Sequence, residues 1–196
     1  MRLKIVQAGE PVLRQTARSL TREEITGDEI QRLIQDMKET MRDAPGVGLA
    51  APQVGLPLQL AVIEDREDLW KGLPPQEFAE KERRPVLFHV IINPDITFSM
   101  DDTGDFYEGY LSLAGFSAVV PRARTVRAKY LDKHGGISRL RPPGGTPESS
   151  SMRFDHLSGT LYIDRMHSRT FTSLGNWNRF WKEKPMRAVL NDLSRV

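Results

Sequence analysis

Between residues 28 and 42, Ile30, Leu33, Ile34, Met37 and Met41 recur at the spacing of one helix face, which predicts an amphipathic helix. Ahead of it, Thr21 and Glu24 have the spacing of a capping box, and Pro45 with Gly46 supply the stop. The segments 58–64 and 86–92 are short, apolar and β-branched, and read as buried strands. Between them lies DREDLWKGLPPQEFAEKERRP, a charged insertion with paired prolines that belongs on the surface. From Ser117 to Leu131 the pattern alternates, with Val126, Ala128 and Tyr130 on one face and Arg127 and Lys129 on the other, as in a half-buried strand. Asp132–Gly136 then turns the chain into a further strand at 137–141. In RPPGGTPESSSMRFDHLSG, Thr146 fits an N-cap, Pro147 a first helical position and Gly159 a stop, so a short serine-rich helix is expected over about 147–157. A strand at 160–164 follows, and WNRFWKEKPMRAVL is expected to form a final helix. There is no internal repeat and no linker-like boundary. The pattern therefore predicts one α+β domain over 1–196, with a tail from about 173 that can stand as a separate helix.

Composition narrows the function classes. The net charge is +2 and its Lys and Arg are spread along the chain, so nucleic acid and membrane surfaces are not the expected partners. The absence of cysteine removes disulfides and thiolate ligands alike and suits a reducing compartment. No apolar run reaches the length of a membrane span, and MRLKIVQAGEPVLRQ lacks the apolar core of an export signal, so a cytoplasmic location is expected.

Chemistry is suggested in three places. In GVGLAAPQVG (46–55), Gly46 and Gly48 flank Val47 and let the backbone approach a ligand, Leu49 packs the loop from behind, and Gln53 offers an amide; a plain helix-to-strand turn has the same composition. In EGYLSLAG (108–115), Glu108 and Gly109 precede Tyr110, and the Leu111 N–H is placed to steady a developing oxyanion, although any loop can look like this. In SMRFDHLSG (151–159), positions 152 and 156 share a helix face. A zinc-type site would need His at both and Glu at 153; only His156 is present, beside Met152 and Arg153.

Together, GxGLAAPQ, EGxLS and DHLxG followed by Leu-Tyr-Ile-Asp resemble the peptide deformylase family, over Val6 to about Thr172. Asn93–Pro94, GFSAVVPR and SRTFT add to the resemblance, and the insertion and SRTFT look most like organellar deformylases and their bacterial relatives. The resemblance implies a deformylase-like fold, with mixed or antiparallel sheets around a central third-motif helix. It also implies a metallohydrolase that removes the formyl group from formyl-Met peptides. In that family the Cys of EGCLS and both His of QHExDHLxG hold iron or a substitute, the intervening Glu is the general acid/base, and the Gln and the N–H after the Cys bind the formyl oxygen.

Carried onto this chain, the resemblance splits. Gly46, Val47, Gly48, Leu49, Gln53, Glu108, Gly109, Leu111, Ser112, Asp155, His156, Leu157 and Gly159 match. Tyr110 stands at the metal-binding Cys, Met152 at the first His and Arg153 at the catalytic Glu. A phenol, a thioether and one imidazole suit no hard or borderline divalent ion, and a guanidinium accepts no proton at neutral pH. The expectation is therefore a cleft without a metal cofactor, kept for binding a peptide-like or small acyl-amino ligand or for metal-free chemistry on it. Arg153 would bind a carboxylate, and His156 and Tyr110 would serve as acid or base; alternatively, Tyr110 and Met152 simply fill the vacated space. Two other readings remain: a working deformylase that recruits ligands such as His89, His134 or His167, and a non-catalytic interaction protein.

Overall fold

The computed structural model describes residues 1–44, 46–67, 85–140 and 154–194. The capping box at Thr21 is formed on both sides: the Thr21 hydroxyl accepts from the Glu24 N–H, and the Glu24 carboxylate accepts from the Thr21 N–H at 2.8 Å. It opens a short helix, α1 (Arg22–Thr26), rather than the long one. Gly27 separates α1 from α2 (Asp28–Asp43), which carries the predicted apolar face.

Five strands follow in an antiparallel meander: β1 (Gly48–Ala50), β2 (Leu60–Asp65), β3 (Val86–Glu108), β4 (Phe116–Leu131) and β5 (Ile137–Leu140), with neighbours in that order. The two-residue period of β2 sorts its side chains between two packing layers. Leu60 and Val62 join Ile30, Ile34, Met37 and Met41 of α2. Ala61 and Ile63 face the other way, packing with Ile91, Val126, Ala128, Phe154 and Leu157. Phe154 and Leu157 belong to a helical turn at 154–157, so the sheet lies between α2 and the third motif. Each such buried aliphatic or aromatic side chain contributes about 1.5–3 kcal/mol.

Three expectations need correction. The strand expected at 86–92 runs on to Glu108, because Asn93–Pro94 makes a bulge instead of ending it. Asn93 takes φ 49°, and its amide clamps Leu20 by accepting from the N–H at 2.9 Å and donating to the carbonyl at 2.7 Å. Asn93→Ala is expected to cost about 2–3 kcal/mol, from two lost hydrogen bonds and an unfavourable backbone. Asn93→Gly, which keeps the conformation, should cost measurably less in urea denaturation.

Second, the expected strand at 160–164 is a 3₁₀ turn, Tyr162–Asp164, held by the Asp164 carboxylate accepting from the Leu161 N–H at 2.8 Å. Third, the expected final helix is divided. β6 (Thr172–Ser173) pairs with the start of β4 and leads into α3 (Leu174–Asn176), a π-helical turn (Trp177–Trp181) and, beyond Pro185, α4 (Met186–Ser194). The charged insertion lies almost wholly outside the described residues, as do the start expected at Thr146–Pro147 and the body of the helix expected over 147–157 up to residue 153. No helix among the described residues is long and apolar enough to cross a membrane.

Candidate functional site

The first motif is one short strand and one 3₁₀ turn. Gly48 and Leu49 pair with Ile63 and Val62, and Ala51–Val54 coils back so that Gln53 is buried. Gln53 does not simply project into open space: its amide oxygen accepts from the Ala50 N–H at 2.9 Å, and its NH2 group lies 3.4 Å from the Ser112 hydroxyl. The amide thus joins the first motif to the second. Gly46 makes the same connection by close approach. A Cβ there would lie 2.9 Å from Leu111 Cδ1, so the absence of a side chain at 46 is what lets Leu111 settle against it.

The second motif begins where β3 ends. Glu108 pairs with Ala118, and the Ser117 hydroxyl donates to the Glu108 carbonyl at 2.9 Å. The Glu108 side chain, 1% exposed, takes a two-pronged ion pair from Arg122 of β4, with Nε and Nη2 each 2.7 Å from a carboxylate oxygen. Arg122 Nη1 donates to Asp155 at 2.5 Å, tying the third motif to the second. Arg165 adds a longer contact to the other Asp155 oxygen at 3.5 Å from a half-exposed position. Burial works against the Arg122 charge, but the hydrogen bonds and charge of Glu108 outweigh it and raise its pKa.

Tyr110 sits over this network. Its hydroxyl accepts from Arg122 Nη2 at 3.1 Å, and its ring lies 4.4 Å from the His156 ring and 4.9 Å, edge-on, from Tyr162. Burial, then the Glu108 charge, push the phenol well above its ordinary pKa, against the pull of Arg122. Tyr110 is therefore a neutral phenol with a cation at its oxygen and an imidazole against its face. Tyr107 is pushed up to about 12 by burial, while Tyr130 and Tyr162 are raised by burial and by Asp132 and Glu108 respectively. Those are the remaining tyrosines of the chain. Each ionises in the unfolded chain near 10 but later in the folded one. This contribution to stability is therefore complete below pH 10 and is lost as pH rises from there through the folded-state values. Alkaline titration should show tyrosinate absorbance appearing together with unfolding, not as a separate step before it.

Among the sequence-predicted residues, the structure brings together Gly46, Gln53, Leu111, Glu108, Tyr110 and His156. Met152 and Arg153 lie outside the described residues. Of the histidines considered as recruits, His134 is exposed in the turn after β4, and His167 pairs with Asp105 at 2.9 Å. Among the described residues, no three His, Cys, Asp or Glu side chains converge as they would to hold a metal ion.

Sequence reasoning missed the N-terminal segment. The Val6 N–H donates to the Gln53 carbonyl at 2.9 Å, and the Ala8 N–H to the Ser112 carbonyl at 2.7 Å. The Gln7 amide donates to the Leu111 carbonyl at 3.0 Å and accepts from the Ala114 N–H at 3.3 Å. Further on, the Ala17 N–H donates to the Leu157 carbonyl at 2.9 Å. One strap thus touches all three motifs. It carries no motif of its own, and its bonds are mostly main-chain, which no residue type announces. Arg122 had a fainter signal: a charge set in the apolar run SAVVPRA.

A family profile described as "Polypeptide deformylase" matches residues 2–171. Peptide deformylase 1A, chloroplastic, of Solanum lycopersicum is 42% identical over 172 residues, covering 88% of this chain and 62% of the relative. The chain thus spans under two thirds of that plant protein. Peptide deformylase 1 of Bifidobacterium longum is 43% identical over 187 residues, covering 94% and 82%. The Met-Ala-Ser-bound class I type b peptide deformylase from Acinetobacter baumannii superposes with a TM-score of 0.74 at 27% identity, covering 85% of this chain and 99% of that one.

Proposed function

This chain belongs to the polypeptide deformylase family, and we propose that, as it stands, it binds a peptide-like or acyl-amino ligand in the family cleft without metal-dependent deformylation. The carrying observation is Tyr110. Where the family's thiolate would ligate, this chain has a phenol held neutral, hydrogen-bonded to a guanidinium and packed on the ring of His156. Such donors do not fit a divalent ion, which needs anionic or neutral lone pairs aimed at one point and no cation between them. Arg153, a guanidinium at the sequence position of the family's general base, agrees with this.

What supports ligand binding is the wall that remains. Gln53 is fixed by Ala50 and Ser112, and its NH2 group has a second hydrogen to give to a ligand carbonyl. Leu111 rests on Gly46, so the edges of the first and second motifs lie side by side, as an extended peptide would need. Tyr110 precedes Leu111 directly, and its ring lies against that of His156. Nucleic acid is not an expected partner at this balance of charge, and a cytoplasmic location remains part of the proposal.

A second reading, a working deformylase, draws on the names of the relatives. The two separate in one experiment. Purified protein is incubated with formyl-Met-Ala-Ser, formate release is followed, and binding of the same peptide is measured by calorimetry alongside metal analysis. Binding without formate and without stoichiometric iron, nickel or zinc is expected. Formate release with bound metal would overturn the proposal in favour of the second reading.

A further inference from the structure

Two of the three misfits at the metal position, Met152 and Arg153, fall in one stretch. Residues 154–157 form a helical turn in which all four side chains are buried, with Phe154 and Leu157 in the core. A single turn has little stability of its own, and a helix-forming sequence ahead of it would support the packing that holds it. The residues ahead, PGGTPESSSMR, are instead rich in Pro, Gly and Ser and hold one apolar side chain apart from the prolines.

The genetic code offers an explanation. Let each codon be formed from the last base of one residue's codon and the first two of the next. Met152 has a single codon, ATG. Its first two bases then end a codon begun by Ser151, giving CAT (His) if Ser151 is AGC. Its last base joins the first two of Arg153 to give GAG (Glu) if Arg153 is AGA or AGG. With serine codons of the TCN type, Glu148–Ser149 can give only Ile or Val, and Ser149–Ser150 only Leu, Phe, Ile or Val. Continued from Pro143 to Arg153, the displaced frame permits GWHARVLQHE, of the same length as residues 144–153.

That reading has properties the displayed one lacks. It contains no proline and no glycine after its first residue. Its leucine at position 150 stands four and seven residues before Phe154 and Leu157, on one helix face. It also runs without a break into the residues that follow, giving HEFDH at positions 152–156, the HExxH pattern of two metal-binding histidines on one face with a carboxylate base between them. A reading that the displaced frame permits thus restores helix propensity, apolar periodicity and the donors at 152 and 153 together.

We infer that residues 144–153 are encoded in a reading frame displaced between two compensating events, a one-base insertion and a one-base deletion, one near the codon of Pro143 and one before that of Phe154. The same bases, read in the original frame, specify a metal-binding HExxH helix ending in His156. The inference concerns the origin of the segment and does not depend on the ligand-binding reading of the chain as it stands.

The direct test is the nucleotide sequence of the gene, read independently from genomic DNA. AGC-ATG-AGA or AGC-ATG-AGG at Ser151–Arg153, with an open displaced frame back to Pro143, is expected. A stop codon in that frame, or codons there that give anything but His and Glu, overturns the inference. A protein-level test follows, in which the segment is rebuilt by Gly145→Trp, Thr146→His, Pro147→Ala, Glu148→Arg, Ser149→Val, Ser150→Leu, Ser151→Gln, Met152→His and Arg153→Glu, together with Tyr110→Cys. Increased helical circular dichroism, a higher Tm and uptake of about one zinc ion per chain are expected. No gain in helix and no zinc above the parent chain would overturn it. Peptide binding by the unaltered chain is measured separately, so that reading and this one can fail independently.

Discussion

Arg122→Met is expected to destabilise the folded chain by about 3–5 kcal/mol, read as a shift in the urea midpoint at an unchanged slope. Arg122 is 5% exposed and is shared by two carboxylates, Glu108 and Asp155, that are themselves buried. Removing the cation leaves both anions in a medium that solvates them poorly, and the Arg165 contact to Asp155 is a long one at 3.5 Å. The size of the loss therefore lies in the stranded charges more than in the worth of the pairs. The triple variant Arg122→Met, Glu108→Gln, Asp155→Asn should recover a substantial part of it, since neutral amides cost less to bury. A loss under about 1 kcal/mol for the single variant would mean that the network is wetter than its burial implies.

Gly159→Ala carries the second large effect. Gly159 has φ +72°, and an added Cβ would lie 2.7 Å from the Arg14 carbonyl oxygen and 2.8 Å from its carbon. The left-handed backbone costs about 1–2 kcal/mol with any ordinary side chain. The overlap is with main chain, which cannot swing aside as a side-chain tip would, so the N-terminal segment must move as well. Gly115 is the control: it has φ +86° with nothing within 4 Å of the added atom, so Gly115→Ala should show the conformational cost alone. Gly159→Ala is expected to lower Tm clearly more than Gly115→Ala, and equal losses would remove the close approach from the explanation.

Much of the fold was legible from spacing. The apolar face of α2 and the alternation of β4 survive because both bury one side and expose the other. The errors share a cause. Leu161 and Tyr162 are buried as their apolar run predicts, yet a run this short does not distinguish a strand from a tight turn, and the Asp164 hydrogen bond to the Leu161 N–H selects the turn. At Asn93 the apolar run of 86–92 has ended, and the side-chain clamp on Leu20, a tertiary partner distant in sequence, lets the strand continue. The site was legible as a set of motifs. Its organisation around Arg122 was not, since ion pairing between strand and helix depends on register and crossing, neither of which composition encodes.

The N-terminal strap bears on how the chain is made. Residues 6–17 bond to Gln53, Leu111, Ser112, Ala114 and Leu157, and Arg14 lies against Gly159. During synthesis these residues leave the ribosome ahead of every one of those partners, which emerge in three instalments. The strap must therefore wait for all three motifs to be made before it can settle. A nascent chain stopped short of the third motif should keep that stretch open to proteases, whereas one extending past it should not.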